Sequence, residues 1–227
     1  FFLLFMSVGP NLKWIREKDI NNKFQLILFF FISLIVSFSI YMQIGKTNLI
    51  NTVLVASSLY LFIVTTKDFF SKELYNFSKK ISHFGFSLLI LSILLNAIFS
   101  SEAIFNVKVG EKFTFKNEKI LFKSLVKRQK ENYQSVIGNF TIEDEKKSIS
   151  MFKPELRIYE QPLVVTSEAD IKTTLFKDEF LVMNKIKGNE YFNVRYQVKP
   201  FMIWIWISTM LIAIGGFLSL YNRVYEK

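Results

Sequence analysis

The stretch YFNVRYQVKPFMIWIWISTMLIAIGGFLSLY (191–221) changes its periodicity halfway along. Its first eight residues, YFNVRYQV, alternate apolar and polar, the pattern of a strand with one buried face. From Phe201 to Tyr221 the chain is almost continuously apolar, and a helix needs about 20 such residues to cross a hydrocarbon core of about 30 Å. A strand-built domain therefore runs straight into a membrane helix, and the remaining sequence falls into place around that junction.

Three further apolar segments lie upstream, near 24–42, 49–64 and 82–99. The second is short for a span and counts as one because the loop GKTN (45–48) joins it to the first as a hairpin. Composition agrees with lipid as solvent: the chain is 51% hydrophobic and 17% aromatic, with 26 Phe, beyond what an ordinary soluble domain carries. Between 101 and 199 the apolar residues alternate in short runs, FNVKV (105–109), KFTFK (112–116) and GNFTI (138–142), separated by Gly110, Asn117, Gly138, Pro154 and Gly188. Such runs read as antiparallel strands, with a short helix expected over 168–175. About 100 residues suffice for a small β-sandwich or open barrel with its own core. The expected architecture is an α-helical transmembrane bundle, four complete helices plus the end of an earlier one, with an inserted all-β domain. Residues 1–100 hold transmembrane helices and short loops, 101–199 the β-rich domain, and 200–227 the last helix and its tail.

Loop charges orient this arrangement. Lys13, Arg16, Lys18 and Lys23 precede the first full span, and Lys67, Lys72, Lys79 and Lys80 lie between the second and third, whereas the first hairpin has only Lys46. Cytoplasmic loops are the ones enriched in Lys and Arg, so the β-domain is expected outside, with Arg223 and Lys227 inside. The net charge is +10, with 18 basic and 14 acidic residues in 101–199 and 11 and 5 elsewhere. This excess is spread out and heaviest beside the membrane, which fits a topology signal and membrane lipid as neighbour, and no nucleic acid, since nucleic-acid binding calls for one clustered basic face.

Several chemistries are missing their residues. There is no Cys, so disulfides and thiolate chemistry are excluded. No glycine-rich phosphate loop is present, no carboxylate lies within an apolar segment to suggest an acid/base pair, and no catalytic residue is assigned. The opening FFLLFMSVGP lacks an initiator Met and a basic leader. It reads as the tail of a membrane helix, and the chain as a C-terminal fragment or split-gene product.

The one histidine, His83, stands in KKISHFGFSLLILSILL (79–95), at the mouth of the third apolar segment. On a helix its face continues through Phe86, Ser87, Ile90 and Leu94, with Gly85 beside it removing bulk next to the ring. A neutral imidazole there suits one axial bond to a haem iron; it equally suits an interfacial histidine hydrogen-bonded to a neighbouring helix. Lys79 and Lys80 lie one turn toward the cytoplasm, where they meet haem propionates only if His83 binds haem. Trp204 and Trp206 suit an aromatic belt at the membrane surface better than substrate stacking, and Gly215 and Gly216 permit close helix packing.

Several segments, in order and across nearly the whole chain, resemble the C-terminal part of the CcmF family, the cytochrome c maturation haem lyase subunit. They are VGPNLKW (8–14), SHFGFSLLILSI (82–93), ENY (131–133), PELRIYE (154–160), TSEADI (166–171), KDEFLVM (177–183), NVRYQVKPFMIWIW (193–206) and IGGFLSL (214–220) with Arg223. The resemblance implies an inner-membrane, multi-pass protein of cytochrome c-type biogenesis whose β-domain is periplasmic. Such a protein accepts haem from a periplasmic haem chaperone and attaches it, with other cytochrome c maturation subunits, to apocytochrome c. It also implies a b-type haem held by two histidines, of which His83 matches one. The tryptophan-rich haem motif, its flanking histidines and the other haem b ligand belong upstream in the family, so an N-terminal part of the same lyase, covalent or separate, is an expected partner, and the fragment is not expected to act alone. The alternative is a non-catalytic membrane anchor presenting the β-domain for protein interaction; a transporter half is poorer, because paired intramembrane charges are lacking.

Overall fold

A computed structural model of the chain describes residues 2–8, 20–45, 48–71, 77–145, 147–186 and 188–225. Lys13, Arg16, Lys18, Lys46, Lys72 and Lys227 of the charge reading, with most of VGPNLKW, lie outside them. The chain divides into two compact units, Phe1–Phe99 with Phe201–Lys227, and Ser100–Pro200.

The first unit contains a short helix, α1 (Phe2–Val8), and four long ones: α2 (Ile20–Ile44), α3 (Leu49–Phe69), α4 (Phe77–Phe99) and, after the β-domain, α5 (Met202–Tyr225). All four long helices are long and apolar enough to cross a membrane. The segment that looked short from its apolar run is a helix of 21 residues. Its last turns tolerate polar residues because the hydroxyls bond within the helix: Thr65 Oγ1 donates to the Leu61 carbonyl at 2.9 Å and Thr66 Oγ1 to that of Phe62 at 2.6 Å, so neither presents an unmet donor to lipid. α3 packs against α1, α2 and α4, and α4 also packs against α5. Large apolar side chains on α2 and α5 remain open, Phe31 and Phe217 among them, as lipid-facing surfaces require.

The contact of α4 with α5 is built on two glycines. A Cβ at Gly85 would meet the Ser208 carbonyl oxygen at 3.0 Å, and one at Gly215 would meet the Ser78 carbonyl oxygen at 2.8 Å. Each helix thus offers a smooth patch to the other's backbone. Gly216 has nothing within 4 Å of its Cβ position, so only one of the paired glycines serves packing.

The second unit is the expected all-β domain, a sandwich of ten strands. One sheet has the order β1 (Ser101–Val107), β10 (Phe192–Pro200), β9 (Lys177–Lys185), β8 (Asp170–Thr173). The other runs β2 (Lys112–Phe115), β3 (Glu118–Gln129), β4 (Tyr133–Glu143), β6 (Glu155–Glu160), β7 (Leu163–Glu168), with β5 (Ile149–Phe152) also paired to β4. Their inner faces close on a core that includes Phe122, Phe140, Phe152, Leu181, Met183 and Tyr196. Phe122 is fully buried, stacked on Phe140 at 4.3 Å between ring centroids and edge-on to Phe192 at 5.5 Å. Truncating it removes transfer energy and leaves a cavity. Phe122→Ala is expected to cost about 3–5 kcal/mol and to speed amide exchange in β3 and β4 by a hundredfold or more; hydrogen-exchange mass spectrometry on the detergent-solubilised full chain measures this.

Two local expectations are corrected. Residues 168–175 are not helical: β7 ends at Glu168, and Asp170–Thr173 pairs with β9, Asp170 opposite Leu181 and Thr173 opposite Asp178. An eight-residue helix gains little by itself, whereas the β9 edge offers a ready ladder. Gly138 is not a turn but the middle of β4, where a Cβ would come within 2.8 Å of the Met183 sulfur; the glycine admits the opposite sheet at close range.

A polar cluster borders the core. The Tyr196 hydroxyl donates to Glu179 Oε1 at 2.9 Å, and Lys177 Nζ reaches the same carboxylate at 2.6 Å. Beside it Asp178 is buried with Oδ1 lacking a hydrogen bond, and burial pushes its pKa up. A carboxyl group whose folded pKa is raised loses stability as pH climbs from its unfolded value through the raised one. Asp178→Asn is therefore expected to raise the thermal midpoint near pH 7 and to bring no such gain at about pH 3, where the carboxyl is largely protonated in either state; a melting series across that range checks it.

Candidate functional site

His83 occupies the second turn of α4 and is half-buried. Two contacts fix the helix that carries it. The hydroxyls of Thr65 on α3 and Ser87 on α4 share a 2.6 Å hydrogen bond, and the glycine seam described above holds α4 against α5. With the Thr65 proton given to the Leu61 carbonyl, Ser87 is the donor in this pair, and this buried serine serves helix packing.

Aromatic rings collect around the same turn. The ring of Phe84, next in sequence to His83, stacks on Phe69 at 4.9 Å and lies 5.7 Å from Phe62, while Phe69 also stacks on Phe77 at 6.3 Å. These join the C-terminal turns of α3 to the N-terminal turns of α4. The charges that bear on His83 are Lys79 on its own helix and Asp68 in the last turn of α3. Among the described residues the imidazole makes no hydrogen bond to another group. No group of three His, Cys, Asp or Glu among the described residues could hold an ion.

The other expected site residues separate. Lys79 is exposed, whereas Lys80 donates to Ser71 Oγ at 2.6 Å beyond the end of α3. Gly85 does not clear space beside the imidazole; it faces Ser208, Leu211 and Ile212 of α5. Phe86, Ile90 and Leu94 are half-buried on α4. Trp206 is open and Trp204 half-buried in the first turns of α5, as belt residues are. Sequence reading missed Asp68 and the Phe62, Phe69 and Phe84 cluster. The available signal was their position at the facing ends of two spans joined by a short connection.

Comparison with known proteins covers the whole chain. Residues 98–200 match the family profile described as the CcmF C-terminal beta-sandwich. Over its full length the chain is 23% identical to the cytochrome c-type biogenesis protein CcmF of Escherichia coli, covering 36% of that protein. It is 26% identical to the Pseudomonas aeruginosa protein of the same name over 65% of the chain and 22% of the relative. It is 29% identical to the cytochrome c-type biogenesis protein ccl1 of Rhodobacter capsulatus over 67% of the chain and 23% of the relative. A solved structure titled cytochrome c heme lyase CcmF shares the fold with a TM-score of 0.69 at 19% identity, over 95% of this chain and 37% of the other. The chain therefore spans between about a fifth and a little over a third of the relatives it matches.

Proposed function

We propose that this chain, a C-terminal part of the CcmF family of cytochrome c-type biogenesis proteins, is the segment of a membrane haem lyase complex that contributes one axial ligand to a resident haem b. The observation that carries this is His83: a half-buried imidazole on a membrane helix, beside clustered aromatic rings, with no hydrogen bond among the described residues. Such a group is costly in a membrane unless it is used. When bound, the haem supplies reversible one-electron chemistry.

The chain's own residues bind and orient. α4 is held by the Thr65–Ser87 hydrogen bond and the Gly85 and Gly215 contacts, which fixes the direction of the imidazole; the Phe62, Phe69 and Phe84 rings supply an apolar flank. Exposed Lys79 is the better candidate for a propionate contact, since Lys80 is engaged with Ser71. The chain has one histidine, so any second imidazole for the haem would have to come from outside it, in this reading from the N-terminal part of the lyase. In this reading the protein lies in the bacterial inner membrane with the β-domain in the periplasm and the C-terminus in the cytoplasm. The β-domain then takes part in receiving the haem chaperone, apocytochrome c and other maturation subunits.

The test is complementation in a bacterium lacking its CcmF. Co-expression with an upstream half carrying the remaining helices is expected to restore covalently haem-stained c-type cytochromes, and either half alone to restore none. Restoration by the upstream half alone would leave this chain the role of an anchor.

A further inference from the structure

The two sheets of the β-domain differ in reach. Beyond the bulge between Phe122 and Ser124, β3 and β4 continue to Gln129 and Gln134, while β9 ends at Lys185 and β10 begins at Phe192. Register places two cross-strand rows on the inner face of this overhang. One is Gln129, Gln134, Ile158 and Val165; the next is Lys127, Val136, Leu156 and Ser167. They line an open groove of about 1220 Å³, whose other walls include Phe192 and Lys185.

Three features of the groove point to one kind of occupant. Its floor is apolar, formed by Leu125, Val136, Leu156, Ile158 and Phe192. Its charge is one-sided: among the described residues Lys108, Lys127 and Lys185 line it against a single carboxylate, Glu190, which lies 3.1 Å from Lys108. Lys127 and Lys185 have no carboxylate within ion-pair distance among the described residues. Finally, β7 bounds the groove through Val165 and Ser167, is the last strand of its sheet and, among the described residues, has a main-chain ladder only with β6, the Ser167 hydroxyl alone donating across to Asn184 Oδ1 of β9. Its Leu163, Val164 and Val165 are exposed, whereas natural sheet edges are usually blunted by charge or Pro.

We propose that this groove binds an extended, acidic and apolar segment of a partner polypeptide. The segment adds to the free edge of β7, sends alternate apolar side chains onto the Leu156, Ile158 and Val165 surface, and sets carboxylates against Lys127 and Lys185. Strand addition supplies affinity through main-chain bonds and specificity through alternate side chains, and the lysines steer an acidic chain. The proposal extends the reading of the β-domain as a partner-binding module and does not depend on His83.

The test selects binders from a displayed library of random 12-residue peptides against the full chain in nanodiscs. The expected result is enrichment of peptides that alternate apolar and acidic residues, with affinity falling about tenfold or more in the double variant Lys127→Glu, Lys185→Glu, a loss of about 1.4 kcal/mol, and also in Val165→Asp. Peptides with no acidic preference, binding indifferent to these substitutions, or failure to enrich any peptide would overturn it. So would a concentration-dependent dimer abolished by the same substitutions, which would make a second copy the occupant, or equal retention of anionic vesicles, which would make it lipid. Haem content of the co-expressed complex, measured in parallel, should be unchanged by the groove variants, so failure here is distinct from failure at His83.

Discussion

Gly215→Leu is expected to push α5 off α4 and to lower the thermal aggregation midpoint of the detergent-solubilised chain, while Gly216→Leu leaves it near that of the wild type. The difference is steric and local. A Cβ at Gly215 falls 2.8 Å from the Ser78 carbonyl oxygen and 2.9 Å from the Ser82 amide nitrogen. Both obstacles are helix backbone, which cannot rotate away as a side chain can, so the helices must separate. Overpacking of this kind costs about 1–3 kcal/mol or more in soluble cores. Between membrane helices the association itself rests on close approach, so the effect should lie at the upper end. Gly216 has open space at its Cβ position and serves as the internal control. If both variants melted alike, the seam between α4 and α5 would not be what holds them.

His83→Ala has a different signature. The α4 contacts described above run to α3 through Ser87 and Phe84 and to α5 through Gly85 and Gly215, and none of these bonds or ring contacts is made by the imidazole. The variant is therefore expected to accumulate and melt like the wild type, yet to lose nearly all of the haem b retained by the co-expressed complex. Without the imidazole this chain would offer a haem only the apolar flank of Phe62, Phe69 and Phe84. c-Type cytochrome yield in the same cells should fall with it. A packed, non-liganding histidine predicts the reverse pattern: a shift in stability with haem unchanged.

The broad architecture was legible because its two signals are periodic. Continuous apolar runs marked the spans, and alternation marked β1, β2, β4 and β10. Where the signals failed, neighbours had decided the outcome. The run 168–175 carries no strong period, and β9 made part of it a strand; Gly138 looks like a turn until Met183 is seen pressing on it. The helix α3 outran its apolar run because Thr65 and Thr66 turned their hydroxyls inward on the helix. At the candidate site, His83 could be singled out as the one intramembrane imidazole, but its aromatic flank could not, since Phe62 and Phe69 reach Phe84 only through the packing of α3 on α4. Gly85, read as space for a ring, was taken by α5. The overhanging groove was invisible for the same reason: its rows join residues from four strands, and only the register puts Lys127 beside Val136 and Ile158 beside Val165.

The most direct measurement of the central claim is the reduced-minus-oxidised spectrum of the co-expressed complex carrying His83→Gly, recorded with and without added imidazole. Ligation by His83 predicts that the b-type α-band is lost in the variant and regained when imidazole fills the vacated coordination position. A b-type band of wild-type intensity in His83→Gly without imidazole would contradict it.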